Sequence, residues 1–194
     1  CPACPPGLNK DDVTRKLVAY ADAYQRLHRD SSQLTNADLA LLAQVARAKK
    51  LDLHDSKVTP EGFVHLARFR QLETLSLRGR LSMEVLTALS RLPLRHLALY
   101  EPGVPDAAIN MLGQMKHLES LELHKATIKG AGLAGLAKTK LRKLVIADTP
   151  LTDAALEHLR KMTALEDLEL SRTAITSKTL TGLQGGMSSL RPLT

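Results

Sequence analysis

The sequence predicts an α/β solenoid: a parallel β-sheet on the concave face, helices on the convex face and an N-terminal helical cap. Three observations carry that expectation. A phrase of leucine, two variable residues, leucine, one variable residue and leucine recurs every 22 to 25 residues. It reads Leu72-x-x-Leu75-x-Leu77, Leu94-x-x-Leu97-x-Leu99, Leu118-x-x-Leu121-x-Leu123, Leu141-x-x-Leu144-x-Ile146 and Leu165-x-x-Leu168-x-Leu170, with a weaker copy at Ala48-x-x-Leu51-x-Leu53 and a truncated one at Leu190-x-x-Leu193. Behind each phrase follows a second apolar set at helical spacing. Aromatic residues make up only 3% of the chain and Trp is absent, which suits an interior of stacked aliphatic layers. A unit this short cannot bury its own apolar face, so neighbouring copies must bury it against one another.

Residues 1–9 read as a proline-rich tether. Cys1 to Gly7 contain three prolines and a glycine, which favour an extended lead-in over a packed element. A chain opening on cysteine resembles a bacterial lipoprotein cut just ahead of its acylated residue, making Cys1 a candidate lipidation site and membrane anchor. The Cys1-x-x-Cys4 spacing also fits a disulfide between Cys1 and Cys4 in an oxidising compartment. Two incidental thiols at a chain boundary are the plain alternative. Redox catalysis places such a motif between a strand and a helix, and the prolines argue against that. Covalent haem needs a histidine after the second cysteine, where Pro5 stands.

Residues 10–47 read as the helical cap and a partial repeat, and 48–194 as the repeats. Asn9 or Asp11 can cap a helix carrying Val13, Leu17, Ala21, Tyr24 and Leu27 at helical spacing. Such a helix covers the apolar end that a first repeat would otherwise expose. The second half of each repeat carries a further helical set: Leu34, Leu39 and Leu42; Val58, Phe63 and Leu66; Leu81, Leu86 and Leu89; Val104, Ile109 and Leu112. Ile128, Leu133 and Leu136, then Leu151, Leu156 and Leu159, then Ile175, Leu180 and Leu183 continue it. Each repeat is therefore expected to hold a strand, a turn, a helix of two to three turns and a return loop.

These residues, over 34–193, carry a resemblance to the leucine-rich repeat superfamily. The stretch Gly130-Ala-Gly132-Leu133-Ala-Gly-Leu136 looks like the bacterial GALA and ribonuclease-inhibitor-like subtypes. The departure falls at the family's asparagine position, which stacks into a ladder under the sheet. Here it holds Ser56, Arg80, Pro102, Ala126, Thr149 and Thr173. Ser and Thr hydroxyls partly replace an amide, whereas Pro102 and Ala126 cannot. Local irregularity is expected around residues 80 and 102.

Side chains alternate faces along a strand, so with the leucines inward, the third, fifth and seventh positions line the concave surface. The seventh-position file begins His54, Arg78, Tyr100 and His124, and with His96 and Glu122 these form the candidate partner-binding set. Tyr and Arg dominate many protein interfaces, and the resemblance also implies binding on this face. No His-x-x-x-His pair or acidic triad suggests a metal site. Ser120, Glu122 and His124 lie in line along one strand and do not converge as a catalytic triad must. The expectation is a non-enzymatic protein with no cofactor and no small-molecule substrate.

The net charge is +7, and its excess is spread along the chain. A spread excess with few aromatics suggests solubility and mild attraction to anionic surfaces, not nucleic-acid binding. One cluster, Lys138, Lys140, Arg142 and Lys143 with Lys125 and Lys129, suits acidic partners or anionic headgroups, although Glu119 and Glu166 flank Arg142. The reading is an exported bacterial protein–protein interaction scaffold, periplasmic or cell-surface, anchored through Cys1. Its partner is a protein, held by the concave face or a solenoid end. The alternatives are an accessory structural subunit of a membrane-associated complex and a host-directed effector; for the latter, residues 10–47 lack the Leu-Pro-x-Glu opening of a partner-binding segment. Pro192 and Arg191 in the last phrase read as devices that blunt an open sheet edge at a true terminus.

Overall fold

The computed structural model describes residues 10–29, 31–45 and 47–176. Cys1, Cys4 and the tether, together with Arg191 and Pro192, lie outside the described residues. Six strands, β1 (Lys50–Leu53), β2 (Thr74–Arg78), β3 (His96–Tyr100), β4 (Ser120–His124), β5 (Lys143–Ala147) and β6 (Asp167–Ser171), form one parallel sheet in chain order. The register follows the leucine phrase residue for residue: Leu51, Leu75, Leu97, Leu121, Leu144 and Leu168 are successive partners. All six are buried. No helix of the described residues is long and apolar enough to cross a membrane.

Backbone hydrogen bonds fix both ends of each strand. The Lys49 carbonyl accepts from the Glu73 and Thr74 N–H groups, and the Glu73, Arg95, Glu119 and Arg142 carbonyls repeat this on the following strands. At the far end, the N–H groups of Gly79, Glu101, Lys125 and Asp148 donate to the Tyr100, His124, Ala147 and Ser171 carbonyls at 2.8–3.0 Å. That turn position is left-handed, with φ of 53° at Glu101, 52° at Lys125, 51° at Asp148 and 49° at Arg172. A side chain there costs roughly 1 kcal/mol, which the repeated inter-strand bond offsets.

The convex elements are α2 (Asn36–Val45), a 3-10 helix over Pro60–Arg68, α3 (Met83–Leu89), α4 (Asp106–Leu112), α5 (Leu133–Leu136), a 3-10 turn over Asp153–Ala155 and α6 (Leu156–Arg160). The first four hold 7 to 10 residues, the two to three turns expected, and the one over residues 133–136, with 4, falls short. Glycine is the reason at α5. A Cβ on Gly132 would stand 2.2 Å from the Asp106 carbonyl oxygen, and one on Gly113 would stand 2.4 Å from that of Gly135. Close backbone approach between α4 and α5 therefore replaces side-chain packing, and glycine is a poor helix former.

Asx side chains staple successive convex turns. Asp106 accepts from the N–H groups of Lys129, Gly130 and Gly132 at 2.9–3.0 Å. Asn36 accepts from the Thr59 N–H at 2.9 Å, and Asp153 accepts from that of Thr176 at 2.8 Å. Burial pushes the Asp106 carboxyl up, but three backbone donors and the nearby Lys129 charge outweigh it and hold it below its ordinary value.

The helix α1 (Lys10–Arg29) forms as expected and packs on α2, with Leu27 of the expected stripe facing the core and Ala21 and Tyr24 of that stripe turned away from it. Ala23 is buried, with Tyr20 and Leu27 packed against the core, whereas Ala21 and Tyr24 are exposed. Apolar residues occupy more than one side of α1, and the small Ala23 lets its face approach most closely. The irregularity expected around residues 80 and 102 stays in the turns. Leu81 N–H donates to the Pro102 carbonyl at 2.9 Å, and Gly79 and Gly103 take φ of 118° and 57°, while the strand register runs on unbroken. Elsewhere hydroxyls serve at the asparagine position: Thr149 Oγ1 accepts from the Ala126 N–H at 3.2 Å and donates to the Ala147 carbonyl at 3.0 Å.

Candidate functional site

Strand alternation turns the side chains between the leucines onto one face. There the register pairs Arg78 with Tyr100 and Tyr100 with His124, and lower on the face His96 with Ser120. His54 follows the end of β1, yet its ring reaches Tyr100 with centroids 5.2 Å apart, and Tyr100 stacks on His124 at 4.6 Å with planes 7° from parallel. The four predicted seventh-position residues are therefore one row, spanning four strands.

Carboxylates hold this row from both sides. His54 Nδ1 lies 2.7 Å from Asp52 Oδ1, and its Nε2 lies 2.8 Å from Asp55 Oδ2. Arg78 lies between Asp55 and Glu101, at 3.8 and 3.9 Å, and Glu101 in turn meets Lys125 at 3.3 Å. His124 Nε2 makes no hydrogen bond; its nearest carboxylate oxygen, on Glu122, is 3.6 Å away, an ion-pair contact only. Burial pushes the Asp52 carboxyl up, but hydrogen bonds from His54, its charge and Ser76 hold it below its ordinary value. The Tyr100 phenol is pushed up, first by burial and then by the carboxylates of Glu122, Asp52 and Asp55, with Arg78 opposing.

Beside the row lies an open pocket of about 140 Å³. Thr74, Ser76, Ala98 and Ser120 are its small side chains, with His96 and Glu122 at its wall. His96 and Glu122 thus belong to the pocket, and Glu122 joins it to the ring row. Sequence reasoning missed Asp55 and Glu101, which belong to the turns. Their signal was the charged residue one place beyond the seventh position. It also missed the pocket, whose signal was small residues in adjacent files of neighbouring repeats.

The lysine cluster is divided by the geometry. Arg142 makes two hydrogen bonds to the Glu166 carboxylate at 2.7 and 2.9 Å, Lys143 faces Asp167 at 4.0 Å, and Lys125 pairs with Glu101. Among the described residues no group of His, Cys, Asp and Glu is placed to hold a metal ion.

No protein-family model and no curated sequence matches the chain. Solved structures do match it in fold. An internalin of Listeria monocytogenes (inlF) is similar with a TM-score of 0.56 and 20% identity, over 85% of this chain and 54% of its own. A second Listeria internalin, C2, gives 0.50 and 20%, over 91% and 92%. The leucine-rich repeat ectodomain of an Arabidopsis thaliana membrane receptor kinase, in complex with Casparian strip integrity factor 2, gives 0.53 and 19%, over 79% and 22%. The chain thus spans about half of the first internalin and about a fifth of the receptor ectodomain. The fold is the α/β leucine-rich repeat solenoid.

Proposed function

We propose that this solenoid is a non-enzymatic protein-interaction scaffold that binds a polypeptide partner on its concave face. Tyr100 is the anchor, with Arg78, His54 and His124 beside it and His96 and Glu122 across the pocket. The observation that carries this reading is the stacked ring row placed against an open pocket with small-residue lining. Partly exposed aromatic and arginine side chains held in place by neighbours lose little freedom on binding, which is how such residues come to dominate interfaces. The plant receptor ectodomain named above binds its own ligand with the same fold, which supports an interaction role by analogy alone.

A fixed place in a membrane-associated complex would use the same face. Co-purification in fixed stoichiometry separates that arrangement from a free receptor, and recovery from host cells would mark an effector. The test is capture from native extract with the full chain. Tyr100→Ala and Arg78→Ala should lose the partner that the parent retains, and Glu84→Ala on the convex side should keep it. Retention by both concave variants would refute the assignment.

A further inference from the structure

The charge that is spread along the sequence is gathered in space, because its spacing matches the repeat. All return loops in a parallel solenoid reach the edge at which the strands begin. From the last residue of each convex element to the residue before the next strand, these loops hold twelve Arg and Lys against three Glu. The rest of the chain holds fifteen basic residues against seventeen acidic ones, so the whole positive excess belongs to this one edge.

The three glutamates are already engaged, Glu73 by Lys49 at 2.9 Å, Glu119 by Arg95 and Glu166 by Arg142. Arg47, Arg70, Arg91, Lys116, Lys138 and Lys140 are exposed and make no ion pair among the described residues. The carbonyl ends of the convex elements point to this edge and favour cations within their last turn. That accounts for Arg68 and Arg160, which end their elements, and not for residues well out in the loops.

From this edge we infer a second docking surface, one that seats the solenoid on an anionic bilayer. The opposite ends of the helices carry the N–H groups that would cradle individual phosphates. Phe69, the one aromatic among Phe, Tyr and Trp in these loops, is buried, which leaves His117 as the one exposed aromatic ring here and no platform of rings for successive bases. Among the described residues the exposed large apolar ones are Val18, Tyr24, Val64 and Met83, none of them in these loops, so the edge lacks the apolar centre of a protein interface. What remains is a row of long cationic side chains, which suits the diffuse field of acidic headgroups. Contact along an edge leaves the concave face open to its own partner.

The full chain with Cys1 unacylated is titrated with phosphatidylcholine vesicles, with vesicles containing phosphatidylglycerol, and with RNA at equal phosphate. The triple variant Arg91→Ser, Lys116→Ser, Lys138→Ser should bind the phosphatidylglycerol vesicles on the order of 100-fold more weakly, from roughly fivefold per residue. The triple Lys57→Ser, Lys125→Ser, Lys129→Ser removes the same charge from the opposite edge and should retain most of the binding. Equal losses in the two triples, no dependence on phosphatidylglycerol in the parent, or tighter binding to RNA than to vesicles would each overturn the inference.

Discussion

Tyr100 and His124, on adjacent strands, stack with ring centroids 4.6 Å apart and planes 7° from parallel. The stack is worth about 1 kcal/mol beyond the area it covers, so with that area and the His54 contact Tyr100→Ala should lower stability by about 1–3 kcal/mol. The phenol is raised by its burial and carboxylate neighbours. A group raised on folding contributes stability below its unfolded value, about pH 10, and loses it as pH rises through the folded value. Unfolding free energy should therefore fall with alkali, and the slope should shrink in Tyr100→Phe. An unchanged slope would show that another group titrates there.

Asp106 predicts an acid-side effect of the opposite sign. Its carboxyl is lowered by three backbone donors. Its contribution is present above the ordinary carboxylate value and fades as pH falls below about 4. Asp106→Ala should cost about 1–2 kcal/mol at neutral pH, less than three separate bonds because the site is open to water. Denaturant titrations of parent and variant at neutral and acid pH should converge as pH falls. A constant gap between them would mean the carboxylate is not the cause.

Gly132→Ala should destabilise despite alanine's better helix propensity. The new Cβ would stand 2.2 Å from the Asp106 carbonyl oxygen, which is backbone and cannot rotate aside. The expected loss is about 1–3 kcal/mol, read as a fall in melting temperature. A rise would mean that α4 and α5 are less closely apposed.

Leu121→Ala should cost about 2–5 kcal/mol, since Leu121 is fully buried between Leu97 and Leu144. Coupling in a solenoid runs between nearest neighbours. Hydrogen exchange should therefore accelerate first in β3, β4 and β5, with α1 following later. Uniform acceleration from α1 to β6 would show that the chain unfolds as one unit.

Strand register was readable to the residue because the phrase alternates in and out with period two, and the buried leucines tolerate no slip. That is why the row from His54 to His124 could be named in advance. The face of α1 was readable only in part: Leu27 packs as expected, but Tyr20 and Ala23 displace Ala21 and Tyr24 on a helix apolar on more than one side. Helix length behind Gly130, Gly132 and Gly135 depended on backbone approach between neighbours, which no single repeat records. The staples from Asn36, Asp106 and Asp153 join residues 23 to 26 apart, so they stay invisible until successive repeats are stacked. The charged edge was missed because basic residues were tallied along the chain and not by position within the repeat.

Concave-face binding is tested most directly by photo-crosslinking. A benzophenone amino acid is placed at Tyr100 in one preparation and at convex Glu84 in another, and each is irradiated in the native host. Binding through the ring row predicts one discrete adduct from position 100, lost on adding Arg78→Ala, and none from position 84. An adduct from position 84 with none from position 100 would contradict the account and move the partner to the helical side.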